Sequence, residues 1–197
     1  MINCVEAEGG VIAQGLQIEE SMETNPLSKN PTQIIRDDHK RLIGLFRQSE
    51  TVRARTPEMQ SALFQEIFEE IEIHSRIEEE VFYPQLILAA DEAGDASLRG
   101  WMDQGVENHR WIDQAVRDLK GRNVEAVSFS AQFAELRERF ESHLFEEEQE
   151  VLPQAEILLG NQREDLAEKM RSFRETGAPG IPGVQAPHGG EQRRSIG

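Results

Sequence analysis

Apolar residues recur every three or four positions between about residues 31 and 175, and this period predicts helices rather than strands. No alternating run of β-branched residues indicates a sheet. Interruptions in the period divide the region into four long helices and a shorter one, at about residues 31–53, 57–90, 96–120, 127–158 and 163–175. Four long helices with short connections favour an all-α fold, an antiparallel up-down-up-down four-helix bundle with a short extra C-terminal helix.

Capping and breaking residues support these limits. Thr56-Pro57-Glu58 is typical of a helix start, because threonine caps the first backbone N–H groups and proline has no N–H to satisfy. Gly94-Asp95, Gly121-Arg122-Asn123 and Gly160 interrupt the pattern where helices are expected to end. Pro84, inside the second helix, is expected to kink that helix or to end its regular part.

The apolar face of each long helix also carries one histidine. A bundle would therefore bring four imidazoles into one core. In chain order these histidines are His39, His74, His109 and His143. Their predicted apolar neighbours are Ile35, Leu42 and Phe46, then Leu63, Ile67, Ile71 and Phe82, then Met102, Gly105, Ile112, Val116 and Leu119, and finally Phe129, Phe133, Leu136, Phe140 and Val151.

The two ends of the chain differ in composition from this region. Residues 1–30 show weak periodicity and are expected to form an N-terminal arm. Residues 177–197, with six glycines and three prolines, are expected to form a flexible tail, in which the fifth histidine, His188, is incidental. The predicted bundle therefore occupies residues 31–160, and an appended helix follows at 161–176.

Charge and segment composition exclude several classes of function. A formal net charge of −16 argues against nucleic-acid binding, which needs basic patches. The N-terminus lacks the basic and apolar regions of a signal peptide, and no run approaches the ~18 apolar residues of a membrane span. One cysteine in 197 residues excludes a disulfide framework and fits a reducing compartment, so a cytoplasmic location is expected.

The histidines follow a pattern that occurs twice. His39 is followed by His74-Ser-Arg-Ile-Glu78, and His109 is followed by His143-Leu-Phe-Glu-Glu147, so the two copies are offset by 70 and 69 residues. A proline stands ten residues after the second histidine of each copy, at positions 84 and 153. Because residues four apart share one helix face, each copy offers two imidazoles and a carboxylate to the core.

Each part of this pattern has an ordinary explanation, since a lone buried histidine is often a core residue and a lone His-x-x-x-Glu is often a surface pair. The combination favours metal binding. A buried carboxylate is costly unless it is paired or coordinated, and no lysine or arginine occupies these faces at the same level. Four imidazoles and two carboxylates suffice for two ions of iron, zinc, copper or manganese. The predicted ligands are His39, His74, Glu78, His109, His143 and Glu147.

Two other classes of metal protein are excluded by their motifs. Ferritin-like bundles place glutamate three residues before a ligand histidine. Here those positions hold Arg36, Ile71, Val106 and Phe140. The His-Glu-x-x-His motif of zinc metalloproteases is also absent from the sequence.

The doubled pattern resembles the hemerythrin family, and specifically its HHE cation-binding members, over roughly residues 31–160. The resemblance implies a four-helix bundle around a non-haem di-iron centre, with or without an oxo or hydroxo bridge. It further implies that His39 and His74 hold one iron, that His109 and His143 hold the other, and that Glu78 and Glu147 bridge. The matching residues are Asp38-His39, His74-x-x-x-Glu78-Glu79 with Pro84, Glu107-Asn108-His109, and His143-x-x-x-Glu147-Glu148 with Pro153.

One position departs from the oxygen-carrying members that the sequence resembles. Those proteins have an additional histidine one turn before the residue that matches His109, where this chain has Gly105. Gly105 either leaves space beside the metal or permits close helix packing. Glu70, one turn before His74, is a candidate for a further ligand. Three nearby residues are expected to lie off the metal-facing side: Glu79, Tyr83 and Glu148.

Three functions fit this interpretation. The leading hypothesis is a protein that binds or senses O2 or its reduction products at a di-iron centre. The first alternative is a di-iron enzyme that acts on peroxide, NO or ferrous iron, which the missing histidine at Gly105 favours. The second is an iron-handling protein without turnover. Neither a protein partner nor an oligomeric state is predicted.

Overall fold

The computed structural model describes residues 29–52 and 55–177, and every regular element in those ranges is helical. Two π-helical segments, Glu78–Phe82 and Glu147–Val151, join α2 to α3 and α5 to α6; we call them the first and second π segments. A 3-10 turn, Gly160–Gln162, precedes the last helix. The α-helices are α1 (Pro31–Val52), α2 (Pro57–Ile77), α3 (Tyr83–Ala93), α4 (Ala96–Leu119), α5 (Val127–Glu146), α6 (Leu152–Leu158) and α7 (Arg163–Thr176).

The helices pack as an antiparallel bundle with an additional C-terminal helix, which confirms the predicted fold class. Helix α1 lies against α2 and α4 lies against α5, while contacts of α1 with α5 and of α2 with α4 close the bundle. Helix α7 packs against α1, α2 and the first π segment. The predicted arm and tail fall almost entirely outside the described residues.

No helix in the described ranges is both long enough and apolar enough to cross a membrane. The cytoplasmic location stays a prediction.

The capping and breaking residues identified in the sequence lie at the ends of α2, α3 and α4. Thr56 accepts a hydrogen bond at its side-chain oxygen from the backbone N–H of Met59, which starts α2. Gly94 has a φ of 71°, a conformation that favours glycine, and it ends α3. The Asp95 carboxylate then accepts from the N–H of Leu98 at 2.9 Å and starts α4. These short connections keep consecutive helices antiparallel.

The core consists of two apolar layers, and the histidines lie between them. On α1, Ile35 belongs to one layer and Leu42 to the other, and His39 separates them along the helix. On α4, Met102 and Ile112 stand on either side of His109 in the same way. The apolar faces predicted for α4 and α5 are buried. The imidazoles are therefore fixed at one level of the bundle by the packing above and below them.

The two π segments were not predicted, because the sequence suggested only a kink or an end at Pro84. The backbone N–H of Tyr83 donates to the carbonyl of Glu78, and that of Leu152 donates to the carbonyl of Glu147, each five residues back. A proline has no N–H and its ring crowds the preceding turn of a regular helix. Widening the turn just before each proline lets the helix continue, and it places Glu78 and Glu147 at the start of a π turn.

Candidate metal centre

The structure brings all six predicted ligand residues together between the two apolar layers of the core. The four histidines come from α1, α2, α4 and α5, and the two glutamates open the two π segments. None of the six is more than 2% exposed to solvent. Their role as metal ligands stays a proposal. The six are His39, His74, Glu78, His109, His143 and Glu147.

The side chains form two groups that share Glu78. The first consists of His39, His74, Glu78 and Glu147, and the second of Glu78, His109 and His143, with the ligand atoms of each group all within 4.8 Å of one another. Two groups joined through one carboxylate are compatible with a dimetal site.

The two oxygens of Glu78 face different groups. Its Oε1 lies 3.3 Å from Nε2 of His74, whereas its Oε2 lies 3.1 Å from Nε2 of His109 and 3.8 Å from Nε2 of His143. Each oxygen is therefore directed to one of the two subsites, as a bridging carboxylate requires.

Glu147 is positioned differently, although the resemblance implied that it also bridges. Its Oε2 lies 3.1 Å from Nε2 of His39, and its Oε1 accepts a hydrogen bond from the hydroxyl of Tyr83 at 3.0 Å. Glu147 belongs to the first group only. The second subsite therefore has three candidate ligands and the first has four.

The hydrogen bonding of the site fits a bound cation. Both ring nitrogens of His74 and Oε1 of Glu78 are buried without a hydrogen-bond partner among the described residues. An unsatisfied buried polar atom costs about 1–3 kcal/mol. The Nε2 atoms of His109 and His143 also face each other at 2.8 Å. The Nε2 atoms of the histidines and the oxygens of Glu78 converge in the manner of metal ligands, so the residues present fit a bound metal ion.

The ionisation of the site shows how its buried charge can be offset. Burial lowers the pKa of His39 and His109, but hydrogen bonds to carboxylates outweigh burial and raise these pKa values to about 9 and about 10. Burial holds the pKa of His74 well below its usual range, which keeps this imidazole neutral. Burial opposes the charge of Glu78, yet the nearby histidines lower its pKa. Protons on two imidazoles and divalent cations are thus alternative partners for the carboxylates.

A second set of carboxylates supports the histidines from outside. Glu148 accepts at 2.9 Å from Nδ1 of His39, and Glu79 accepts at 2.9 Å from Nδ1 of His109. Each glutamate comes from the π segment of the other sequence copy, so the support crosses between the two halves. Such partners fix the tautomer and the orientation of a metal-binding imidazole. The sequence predicted only that Glu79 and Glu148 lie off the metal-facing side. The Glu-Glu pair that recurs in both copies is the signal that could have assigned them a supporting role.

We expect Glu79→Ala and Glu148→Ala each to weaken metal affinity by about 10- to 100-fold, because each leaves one ligand histidine without its partner. Competition with a chelator of known affinity measures the change. The matched controls are Glu80→Ala and Glu150→Ala, which remove acidic side chains from the exposed surface of the same π segments. Equal losses in all four variants would mean that general acidity, rather than support of the histidines, sets the affinity.

His74 has no such hydrogen bond among the described residues, and its Nδ1 only faces a carboxylate of α1 that is held from α7. Its Nδ1 lies 4.0 Å from Oδ2 of Asp38, and the same carboxylate binds Arg174 of α7. Arg174 also binds Glu70 at 3.1 Å, and Arg41 binds the other oxygen of Glu70 at 2.7 Å. Glu70 is therefore held by two arginines and belongs to neither ligand group, so the suggestion that it is a further ligand is wrong.

Tyr83 was predicted to lie off the metal-facing side, and the structure corrects this. Its hydroxyl donates to Glu147 at 3.0 Å and lies 3.3 Å from Oε2 of Glu78, and its ring stacks on His109 with the centroids 6.0 Å apart. In a regular helix, nine residues after His74 means roughly half a turn away from that face. The π segment absorbs one residue, about 100° of rotation, and turns Tyr83 inwards.

Tyr83 also explains why position 105 is a glycine, and the reason is close packing rather than space beside the metal. A Cβ atom built at Gly105 would lie 2.8 Å from the Tyr83 hydroxyl oxygen and 3.3 Å from two of its ring carbons. Gly105 is thus glycine because Tyr83 packs closely against its backbone. Burial and the neighbouring carboxylates raise the pKa of Tyr83 well above its usual value, so the hydroxyl keeps its proton. The space expected beside the metal is largely filled by this side chain.

Comparison with known proteins is consistent with this geometry. No curated protein and no solved structure matched the chain. The family model described as the Hemerythrin HHE cation binding domain matches residues 30–155, which is more than half of the chain and includes both ligand groups. The chain therefore belongs to the hemerythrin HHE cation-binding domain family.

Proposed function

We propose that this protein is a non-haem di-iron protein that binds or senses O2 or its reduction products. The proposal rests chiefly on one observation, the pair of buried His/Glu groups joined through Glu78. Imidazole and carboxylate ligands also suit zinc, copper and manganese. Two histidines and one carboxylate with open positions are typical of non-haem iron sites that react with O2, and His109, His143 and Glu78 form such a set.

The chain's own residues prepare the site for this chemistry. An iron pair, when bound, supplies the electrons and the open positions that O2 or peroxide needs. His39, His74, His109 and His143 would provide nitrogen ligands to the bound ions, and packing holds these side chains in place. Phe140 lies against His74 and His143, with ring centroids 5.8 and 6.3 Å away, and excludes water on that side.

Tyr83 holds a proton beside the carboxylates. Its hydroxyl donates to Glu147 and lies within reach of the Glu78 oxygen that faces the second subsite. This is a protonated donor that a small molecule at the second subsite would meet.

The stoichiometry of bound metal tests the proposal directly. Because there are two ligand groups, we expect two iron ions per chain after expression in iron-replete medium. Elemental analysis together with an accurate protein concentration measures the ratio. One zinc ion per chain that iron does not exchange would rule out the di-iron proposal.

A second candidate function is a di-iron enzyme that acts on peroxide, NO or ferrous iron. The observation in its favour is the second subsite, which has only three protein ligands. Optical spectra of the anaerobically reduced protein, before and after admission of air, discriminate the two. A spectrum that forms in air and reverts under vacuum through several cycles supports reversible binding, whereas irreversible oxidation and peroxide consumption support the enzyme.

A further inference from the structure

The first half of the bundle, α1 and α2, and the second half, α4 and α5, repeat each other in sequence, but different elements pack on their outer faces. Helix α7 packs on the first half, where Met170 and Phe173 are completely buried in the layer that contains Ile35 and Ile77. The guanidinium of Arg76 also lies 4.9 Å from the centre of the Phe173 ring. The face of the first half that leads to His39 and His74 is therefore sealed by apolar contacts.

The corresponding face of the second half is built from different residues. Gly105 of α4 lies 70 residues after Ile35, and Glu146 of α5 lies 69 residues after Ile77. These are the offsets of the sequence repeat, so the two pairs occupy equivalent positions. Ile35 and Ile77 are fully buried, whereas Glu146 is half-buried and charged. Glycine and a surface glutamate thus replace two large core residues at the equivalent places.

A narrow cleft of about 10 Å³ lies on this second face. Its lining includes the site residues His143 and Glu147, and Gly105 and Tyr83 beside them. A volume of about 10–15 Å³ holds about one water molecule. The cleft therefore suits a diatomic or triatomic molecule and excludes organic substrates.

Two further side chains of the cleft are partly exposed to solvent. Trp101 and Glu146 line the cleft, and both are half-buried. Gln104 of α4 donates to the Glu146 carboxylate at 3.0 Å, and this exposed hydrogen bond links α4 to α5 next to the cleft. Exposed contacts of this kind open more readily than buried packing.

We propose that small molecules reach the metal centre through this cleft between α4 and α5, and that Trp101 is the side chain that gates it. The cleft reaches His143 of the second ligand group and Glu147 of the first. A small molecule entering there then meets the second subsite, which has three candidate ligands, at His143, while α7 covers the other side of the first subsite. This inference rests on the proposed dimetal site, and it adds which subsite meets the exogenous molecule and by which path.

The kinetics of azide binding to the iron-loaded protein test the route, with two irons per chain verified first. A gate changes the association and dissociation rates by the same factor and leaves Kd unchanged. We expect Trp101→Ala to raise both rates several-fold, and Glu146→Trp, a surface change that fills the outer cleft, to lower both. Stopped-flow spectroscopy measures the rates.

Matched controls come from the same helices. Trp111→Ala removes the other tryptophan of α4, which lines a separate groove, and Glu80→Trp places the same bulk on the exposed surface of the first π segment. Both should leave the azide rates unchanged. If Glu146→Trp leaves the rates unchanged, or Trp111→Ala accelerates them as much as Trp101→Ala, the route is wrong although the di-iron proposal stands. Wild-type protein that fails to hold two irons would overturn both proposals.

Discussion

Glu78→Gln is expected to abolish tight binding at both metal subsites, whereas Glu147→Gln should weaken chiefly the first. The reason is that Glu78 directs one oxygen to each ligand group, while Glu147 uses its second oxygen to accept from Tyr83. Glutamine keeps the volume of the side chain, so a cavity does not contribute. Elemental analysis should give close to zero metal for the first variant and close to one ion for the second.

Thermal unfolding provides an independent measurement of the same difference. Metal ligands contribute to folding free energy, so the rise in Tm on metal addition should vanish in Glu78→Gln and persist in reduced form in Glu147→Gln. Glu72→Gln is the control, because Glu72 lies on α2 but pairs with Lys120 near the surface. Equal losses of metal in Glu78→Gln and Glu147→Gln would show that both carboxylates bridge in the loaded protein.

The six candidate ligands could be located from the sequence because regular helices have a constant period. His74 and Glu78 are four residues apart before the helix widens, as are His143 and Glu147, so helical geometry placed both pairs correctly. The apolar neighbours at spacings of three and four then put each histidine in the core. Repetition of the pattern made the inference specific, since each copy alone has an ordinary explanation.

Tyr83 was placed wrongly because the helical period changes after Glu78. Tyr83 lies after the first π segment, and its direction depends on a turn of five residues that hydropathy does not report. The recurring prolines at positions 84 and 153 marked where the helix changes, yet from the sequence they predicted only a kink or an end of the regular helix. The hydrogen bond of Glu79 could not be predicted for another reason. It joins Glu79 to His109 of the other half of the bundle, and such contacts follow from tertiary packing.

The role of Gly105 became clear only when the sequence and the structure were considered together. From the sequence, the glycine marked a missing histidine and possible space, whereas the structure puts the Tyr83 phenol against it. Gly105→His would therefore meet Tyr83 before it could supply a ligand. The lack of a histidine at position 105 and the inward direction of Tyr83 are two aspects of one packing arrangement.

Gly105→Ala is accordingly expected to lower the free energy of unfolding by about 1–3 kcal/mol, the usual cost of overpacking a core. The added Cβ would lie 2.8 Å from the Tyr83 hydroxyl oxygen, so Tyr83 must shift and lose its hydrogen bonds to the glutamates. Urea unfolding in excess chelator measures the change without a contribution from metal loss. Gly100→Ala on the same helix is the matched control, because no atom lies within 4 Å of its added Cβ. It should stabilise the protein by about 0.5–1 kcal/mol, as alanine does in place of glycine within a helix.

The pairing of Gly105 with Tyr83 is tested by a double-mutant cycle with Tyr83→Phe. Phenylalanine removes the oxygen at 2.8 Å and leaves ring carbons at 3.3 Å, which need to move only a few tenths of an ångström. Gly105→Ala should therefore cost much less in the Tyr83→Phe background than in the wild type, and the difference is the coupling energy of the pair. If Gly105→Ala is as harmless as Gly100→Ala, or costs the same in both backgrounds, then contact with the Tyr83 hydroxyl is not what requires glycine at this position.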